Sequence, residues 1–446
     1  MDLRIYNSLT NKIEYFKPIK EKEVSLYVCG PTVYNYVHIG NMRPVVVFDT
    51  FKRLLTYLGY KVTYVSNYTD VDDKIIKRAL ELNMPENEVT EMYIKAFEED
   101  LKNINAMKPD ITPRVTEYMP QIIKFIDNLV SIGAAYVVDG DVYFRVEKVK
   151  TYGELSNTKI DDLLVGARIE ENSKKESPLD FTLWKHTDVG IKWDSPWSKG
   201  RPGWHTECVV MINSLFENGH IDIHGGGFDL KFPHHENEIA QSQACHCHSI
   251  ANYWMHNGFI NINNEKMSKS LGNIVTAHDA LKEYGGNSVR LLLISTHYRA
   301  PVNFSKELIS SNQNEINKVE NVMKRLAVEL QLKGLNLTNK APFAMIEPFL
   351  KALADDLNTS NALSELYAIV KQANQALRQK DIDYSLVHEL FVTLKDELDI
   401  LGLKITYPIL DEDDKNLLKE YNLAKTNKDF VRSDLLRVEL INRNIL

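Results

Sequence analysis

The feature that most constrains this chain is a strand, a glycine-bearing turn and a helix in unbroken succession near its start. The apolar, β-branched run at 24–29 reads as the strand. The turn His38-Ile39-Gly40-Asn41 follows. Val47, Phe48, Phe51, Leu54, Leu55 and Leu58 then recur at spacings of three and four, which places them on one helix face. This order opens nucleotide-binding sheets, whose first helix presents its amino end to phosphate. Far downstream, Lys266-Met267-Ser268-Lys269-Ser270 follows a strand-like segment at 259–263 and precedes Gly272. Two lysines three residues apart suit the charge that builds on a leaving pyrophosphate. Either motif alone is weak, because such turns and such lysine runs are ordinarily plain surface. Their order and their flanks together point to a nucleoside triphosphate.

At 446 residues the chain has room for two or three domains. A hydrophobic content of 44% with 26% charged residues is ordinary for a soluble globular protein. No apolar run is long enough to cross a bilayer, and residues 1–20 lack the apolar centre of a signal peptide. A cytoplasmic location is the expectation. The net charge of −8 does not advertise nucleic-acid binding, although RNA contact depends on local patches. One such patch lies in residues 422–446, where Lys425, Lys428, Arg432, Arg437 and Arg443 outnumber Asp429, Asp434 and Glu439.

The periodicities predict an α/β, Rossmann-type doubly wound parallel sheet over residues 1–305, with an insertion at about 110–200. A strand is expected from Lys61 to Ser66 and a long charged helix over 86–105. The sheet resumes at Ile221-Asp222-Ile223, which leads into three glycines. Helical periodicity at 306–331, 346–356 and 361–379 predicts an α-helical bundle over 306–400. An acidic linker at 411–414, after Pro408, introduces a small unit over 401–446.

Four cysteines, Cys29, Cys208, Cys245 and Cys247, are too few and too scattered for a disulfide scaffold, so metal binding is the better expectation for some of them. His234 and Glu238 stand four apart and share a face if helical. Cys29 ends the first strand and Cys208 precedes the second half of the sheet. Strand ends of an open α/β sheet converge on one crevice, which allows the four to meet there. Two thiolates, an imidazole and a carboxylate favour zinc over magnesium or calcium. The bland alternative is a pair of buried cysteines beside a surface His/Glu pair. Cys245-His246-Cys247-His248 also looks metal-like, but cysteines two apart on a helix diverge, and it reads as an incidental surface stretch.

The chain resembles the class I aminoacyl-tRNA synthetases and, among them, the cysteinyl-tRNA synthetases. The resemblance runs over nearly the whole length. It is carried by Cys29-Gly30-Pro31-Thr32-Val33-Tyr34, the HIGN turn, Asn67-Tyr68-Thr69-Asp70-Val71-Asp72-Asp73-Lys74 and Gly203-Trp204-His205-Thr206-Glu207-Cys208. Ile223-His224-Gly225-Gly226-Gly227, Phe232-Pro233-His234-His235-Glu236-Asn237-Glu238, Trp254-Met255-His256-Asn257-Gly258 and the KMSKS run complete it. One departure from the class pattern is Asn41, where a histidine is usual. Asparagine donates a hydrogen bond but carries no proton charge, so its role is contact.

The resemblance implies ATP-dependent activation of L-cysteine and its transfer to the 3′ end of tRNA-Cys by a protein that is usually monomeric in this family. It matches Cys29, Cys208, His234 and Glu238 to the family's zinc ligands. A hydrophobic pocket separates near-isosteric side chains by only ~1–3 kcal/mol, whereas a thiophilic metal favours a thiolate strongly over a hydroxyl. His38, Asn41, Lys266 and Lys269 are the expected catalytic residues, acting on ATP phosphates that carry magnesium. His224 and Asp229 are expected at the ATP nucleoside. Trp204 is expected to wall the amino-acid pocket, with Thr69 helping to seat the substrate. The 401–446 unit is expected to bind the anticodon, since Lys428-Asp429-Phe430 and 433–437 resemble the family's tail. A paralogous ligase that delivers activated cysteine to an amino-sugar would keep the same catalytic motifs and is the nearest rival. A zinc hydrolase built on His234-His235-Glu236 lacks the HExxH spacing and leaves KMSKS unexplained.

Overall fold

The computed structural model describes residues 1–158, 174–267 and 272–446, with the Lys266 side chain outside the described atoms. Two compact units are present: residues 2–283 with 298–303, and residues 284–297 with 304–446 and Met1.

The first unit begins with a hairpin, β1 (Arg4–Asn7) and β2 (Lys12–Tyr15). The nucleotide-binding core follows: β3 (Glu23–Val28), α1 (Ile39–Tyr57), β4 (Lys61–Ser66), α2 (Asp73–Leu82) and α3 (Glu86–Asn103). Next come α4 (Met119–Ser131) and four strands, β5 (Ala135–Val138), β6 (Asp141–Phe144), β7 (Phe181–His186) and β8 (Gly200–Pro202). The core resumes with α5 (Glu207–Leu215), β9 (Ile221–Gly227), α6 (Glu236–His246) and β10 (Ala251–Asn257). A short hairpin, β11 (Ile260–Ile262) and β12 (Glu265–Lys266), turns on Asn263 and Asn264, both left-handed at φ 49° and 67°. Asparagine tolerates that region, which a tight hairpin turn requires. The helix α7 (Ala277–Tyr284) closes the unit's main run.

The central sheet has the order β10-β9-β3-β4, all parallel. The chain leaves β3 for β4 on one side and returns as β9 on the other, so the strand order reverses at β3. That reversal opens a crevice at the carboxyl ends of β3 and β9. The strand Ile221–Gly227 buries six of its seven residues, as a parallel strand covered on both faces must. Gly225 is required there: a Cβ would stand 2.2 Å from Phe48 Cζ, where α1 packs on the sheet. The inserted segment forms its own antiparallel sheet, β5-β6-β7-β8.

Val47, Phe48, Phe51, Leu54 and Leu55 are buried on α1 as the spacing predicts. Burial extends further round the helix, to Met42, Arg43, Val46, Asp49 and Thr50. Asp49 pays no penalty there because it accepts from Arg53 Nε at 2.8 Å and from the Met107 amide at 2.7 Å.

The second unit is helical: α8 (Gly286–Ile294), α9 (Lys306–Leu332), α10 (Phe343–Ala354), α11 (Thr359–Ala376) and α12 (Tyr384–Leu401). A terminal helical hairpin, α13 (Glu412–Thr426) and α14 (Phe430–Asn442), follows. Leu410, Leu418, Leu440 and Ile445 pack with Val328 of α9 into one apolar cluster. The acidic run at 411–414 is not a linker. Asp411 caps α13 by accepting from the Asp414 amide at 2.8 Å, and Asp414 reaches back to the Asp411 amide at 3.3 Å. Carboxylates in a first turn meet the positive end of the helix, so these charges start the element instead of separating two.

Candidate metal and nucleotide site

Cys29 is the first residue past β3, and the backbone there is pressed against the neighbouring loop. A Cβ on Gly30 would fall 1.6 Å from the Asn67 carbonyl oxygen, so only glycine fits. Asn67 Oδ1 accepts from the Gly30 amide at 3.0 Å and fixes the exit of the strand. Cys208 is the second residue of α5, where the helix amino end favours a thiolate. His234 and His235 sit in the turn Lys231–His235 that leads into α6, and Glu238 lies in the first turn of that helix.

These elements bring the four residues matched as ligands together. Their donor atoms all lie within 4.8 Å of one another. Cys29 Sγ is 3.7 Å from Cys208 Sγ and 3.8 Å from Glu238 Oε1. Cys208 Sγ is 3.8 Å from His234 Nε2, which is 2.9 Å from Glu238 Oε1. A tetrahedral zinc with Zn–S bonds of about 2.3 Å has S···S edges of about 3.8 Å. The two sulfurs already stand at that separation. His234 belongs to the turn before α6, not to the helix, yet the four-residue spacing still aims both side chains at one point.

The cluster needs positive charge. Burial alone disfavours the charged imidazole of His234, but the Glu238 carboxylate and the Cys208 sulfur outweigh it and raise its pKa to about 10. Burial likewise works against the Glu238 charge, and His224 and His234 hold that carboxyl well below its ordinary value. A hydrogen bond from Cys29 brings the Cys208 thiol down to about 6, while burial and the Cys208 sulfur push Cys29 up. In the metal-free cluster Cys29 and His234 are both pushed toward their protonated forms, and a divalent cation would displace those protons.

A second set of four shares two members with the first: Cys29, His224, His235 and Glu238. His224 is fully buried, donates from Nε2 to Glu238 Oε2 at 2.7 Å, and stacks on Trp254 at 4.6 Å. The ring serves Glu238 and has no exposed surface, so what this stretch offers a nucleoside is its backbone. His235 Nδ1 meets His256 Nε2 at 2.8 Å, and His256 Nδ1 meets Ser8 Oγ at 2.9 Å. Burial pushes the pKa of His235 well below its ordinary value and that of His256 to about 3, so this floor is neutral. Sequence reasoning assigned neither residue a place in this cluster. Their motifs were visible, but nothing local told a floor residue from a ligand.

Trp204 is 43% exposed and stacks on His234 with centroids 4.3 Å apart, so it stands on the open side of the cluster. Thr69 is buried and donates to Glu207 Oε2 at 3.1 Å, while Asn67 Nδ2 donates to the Thr69 hydroxyl at 3.3 Å. Burial and the adjacent Cys208 raise the Glu207 carboxyl well above its ordinary value. His38 is exposed as the residue before α1, and Asn41 is half-buried in its first turn. Asp229 is exposed in the turn just past the glycines of β9. Lys269, with Ser268 and Ser270, lies outside the described residues, and Lys266 is described only as the backbone end of β12. Cys245 donates to no metal-like set among the described residues: its sulfur accepts from Asn128 at 3.5 Å, and Cys247 is exposed.

Residues 15–314 match the family model of the tRNA synthetases class I (C) catalytic domain, and residues 348–406 match the DALR domain. The cysteine–tRNA ligase of Geobacillus thermodenitrificans is 46% identical over 451 residues, covering 100% of this chain and 96% of that protein. The cysteine–tRNA ligase of Staphylococcus aureus (strain Newman) is 47% identical over 455 residues, covering 100% and 97%. Among solved structures, Mycobacterium tuberculosis methionyl-tRNA synthetase bound by methionyl-adenylate superposes with a TM-score of 0.63 at 14% identity, over 92% of this chain and 96% of that one. That likeness concerns the fold. With a family model spanning most of its length and relatives matching it end to end, the chain belongs to the cysteine–tRNA ligase family of the class I aminoacyl-tRNA synthetases.

Proposed function

We propose that this protein activates L-cysteine with ATP and transfers the cysteinyl group to the 3′ end of tRNA-Cys. The observation that carries this reading is the convergence of Cys29, Cys208, His234 and Glu238 at the carboxyl end of the sheet. Their donor set suits zinc, and the S···S spacing suits its tetrahedron. Zinc held by these four residues would stabilise the substrate sulfur as a thiolate and so separate cysteine from serine. Trp204 forms the open wall beside the ligand His234. The carboxylate of cysteine attacks the α-phosphate of ATP, and pyrophosphate leaves. No side chain is needed as a covalent nucleophile. His38 and Asn41 contact phosphate at the start of α1, and Lys266 and Lys269 meet the charge of the leaving group, with magnesium on the phosphates. Gly225, Gly226 and Gly227 offer the nucleoside a close approach to backbone, with Asp229 beside them.

The tRNA half of the reading is supported by the match of 348–406 to the DALR domain and by the excess of lysine and arginine over acidic residues in 422–446. No helix among the described residues is long and apolar enough to cross a membrane. The test is pyrophosphate exchange with each amino acid, followed by aminoacylation with tRNA. Exchange with cysteine alone, and charging of tRNA-Cys, is the expected result. Exchange with cysteine but no charging of any tRNA would return the amino-sugar ligase reading.

A further inference from the structure

Asp100 on α3 is a buried carboxylate whose two oxygens find no hydrogen-bond donor among the described residues. A buried charge left in that condition is costly and calls for a reason. Its nearest titratable partner among the described residues is His278 on α7, whose Nδ1 stands 3.4 Å from Asp100 Oδ1. Asp100 is 1% exposed and His278 is 34% exposed, so the pair bridges the interior and the surface. Tyr36, two residues before His38, packs on the His278 ring with centroids 5.1 Å apart and meets Tyr93 of α3 edge-on at 5.6 Å.

The start of α7 is stitched to the HIGN turn by backbone. The Ile39 amide donates to the Val275 carbonyl at 2.9 Å, and the Ala277 amide donates to the Val37 carbonyl at 2.8 Å. His38 and Thr276 pair as an isolated antiparallel bridge between those bonds. Thr276 in turn caps α7, accepting from the Asp279 amide at 3.1 Å. Whatever fixes the first turn of α7 therefore fixes the backbone of His38 and Ile39.

We propose that Asp100 and His278 are positioning residues for the ATP site, holding α7 so that its leading backbone sets the HIGN turn. The inference rests on the reading that this turn binds ATP phosphates. Misplacing reacting groups by about an ångström from a distance costs on the order of a hundredfold in rate, so such a fastening is worth a buried charge. The buried charge is also a cost to the fold. Burial raises the Asp100 carboxyl to about 6, against the pull of His278, while Glu99 on its own helix and Asp279 beside His278 push it the same way as burial. Below that pH the carboxyl is neutral and loses its attraction for the His278 ring; above it the carboxylate keeps that attraction.

The test compares wild type, Asp100→Asn, His278→Asn and the double variant as full-length protein. ATP binding is measured by calorimetry across pH 5 to 8, and pyrophosphate exchange is measured in parallel. Each single variant is expected to weaken ATP binding at neutral pH and to slow pyrophosphate exchange by up to about a hundredfold, the scale of such misplacement, with the KM for cysteine unchanged. The double variant is expected to be no worse than either single one. Wild type should bind ATP more tightly as pH rises through about 6, and Asp100→Asn should lose that component. The ionisation of ATP itself is common to all four proteins. A purely structural role for Asp100 would lower the thermal midpoint of Asp100→Asn; the proposal expects it unchanged or raised at neutral pH. Unchanged ATP affinity in both single variants, or an identical pH profile in Asp100→Asn, overturns the proposal. If wild type fails to exchange with cysteine while Asp100→Asn still binds ATP more weakly, the positioning role stands and the ligase reading falls.

Discussion

The sulfurs of Cys29 and Cys208, 179 residues apart in sequence, stand 3.7 Å from each other at the carboxyl end of the parallel sheet. One arrives as the exit of β3 and the other at the amino end of α5, so the two halves of the fold each supply a thiol to one point. The chemistry proposed for this protein depends on that meeting, and its consequences are open to measurement.

Replacing Cys208 by serine removes a soft donor and leaves the fold's volume almost unchanged. Zinc retention should fall by at least a hundredfold, a loss at the upper end of what even an outer-shell partner is worth, and the KM for cysteine should rise with it. Metal analysis after dialysis against a weak chelator reads the first effect, and exchange kinetics read the second. Full zinc occupancy in the variant would remove Cys208 from the ligand set.

Metal uptake should be coupled to proton release. In the metal-free protein His234 is held up at about 10 and Cys29 is pushed above its ordinary value, so both carry protons at neutral pH. Zinc affinity should therefore rise by about two decades per pH unit between pH 6 and 8. The sign for the metal-free fold is the reverse. A histidine raised from 6.5 to about 10 contributes stability that is fully present below pH 6.5 and is lost as pH rises through about 10. Competition titrations at several pH values check the first slope, and a pH-independent affinity would contradict it.

Lys269→Ala should slow adenylate formation far more than it weakens cysteine binding. A donor that meets charge developing in the transition state is worth ~3–4 kcal/mol, or roughly a hundred- to a thousandfold in kcat. Pyrophosphate exchange at saturating cysteine is the assay. A raised KM for cysteine with an unchanged kcat would assign this lysine elsewhere.

The terminal hairpin should matter for transfer and not for activation. Arg432 is paired with Glu420 at 2.9 Å, and Arg443 is paired with Asp414 and Glu439 at 2.9 and 2.8 Å. Lys428 carries no such ion pair among the described residues and adjoins the start of α14, where Phe430 is 70% exposed. Cations of this kind hold phosphate, and an exposed ring offers a face on which an unpaired base stacks. Lys428→Glu combined with Phe430→Ala should leave exchange intact and raise the KM for tRNA about tenfold or more, given that one base stack is worth ~1–3 kcal/mol. Equal aminoacylation by the variant would move RNA reading off this hairpin.

Much of the site was legible because its signals are local. The β-branched run ending in Cys29, the glycine turn before α1 and the four-residue step from His234 to Glu238 each state their geometry within a few positions. The place of the His224 ring was not legible, because its neighbours, three glycines, suggest an open turn. The ring instead lies under Trp254 and against Glu238, contacts that only the closed sheet creates. His235, His256 and Asn67 were visible in their motifs but received no role in this cluster for the same reason: their partners are His256, Ser8 and Gly30, from separate strands and loops. The acidic run at 411–414 looked like a linker because charge and a nearby proline suggest one. The reciprocal Asp411–Asp414 pairing that makes it a helix start is itself a local signal, and an acidic capping box was there to be read.

The central claim is that a metal held by Cys29, Cys208, His234 and Glu238 reads the substrate sulfur. Cysteine-dependent pyrophosphate exchange should be measured on the protein as purified, after metal removal, and after zinc is returned. The account predicts that exchange is lost with the metal and restored with zinc, while the metal-free protein keeps its folded circular dichroism and still binds ATP. Undiminished cysteine activation by folded, metal-free protein would contradict it.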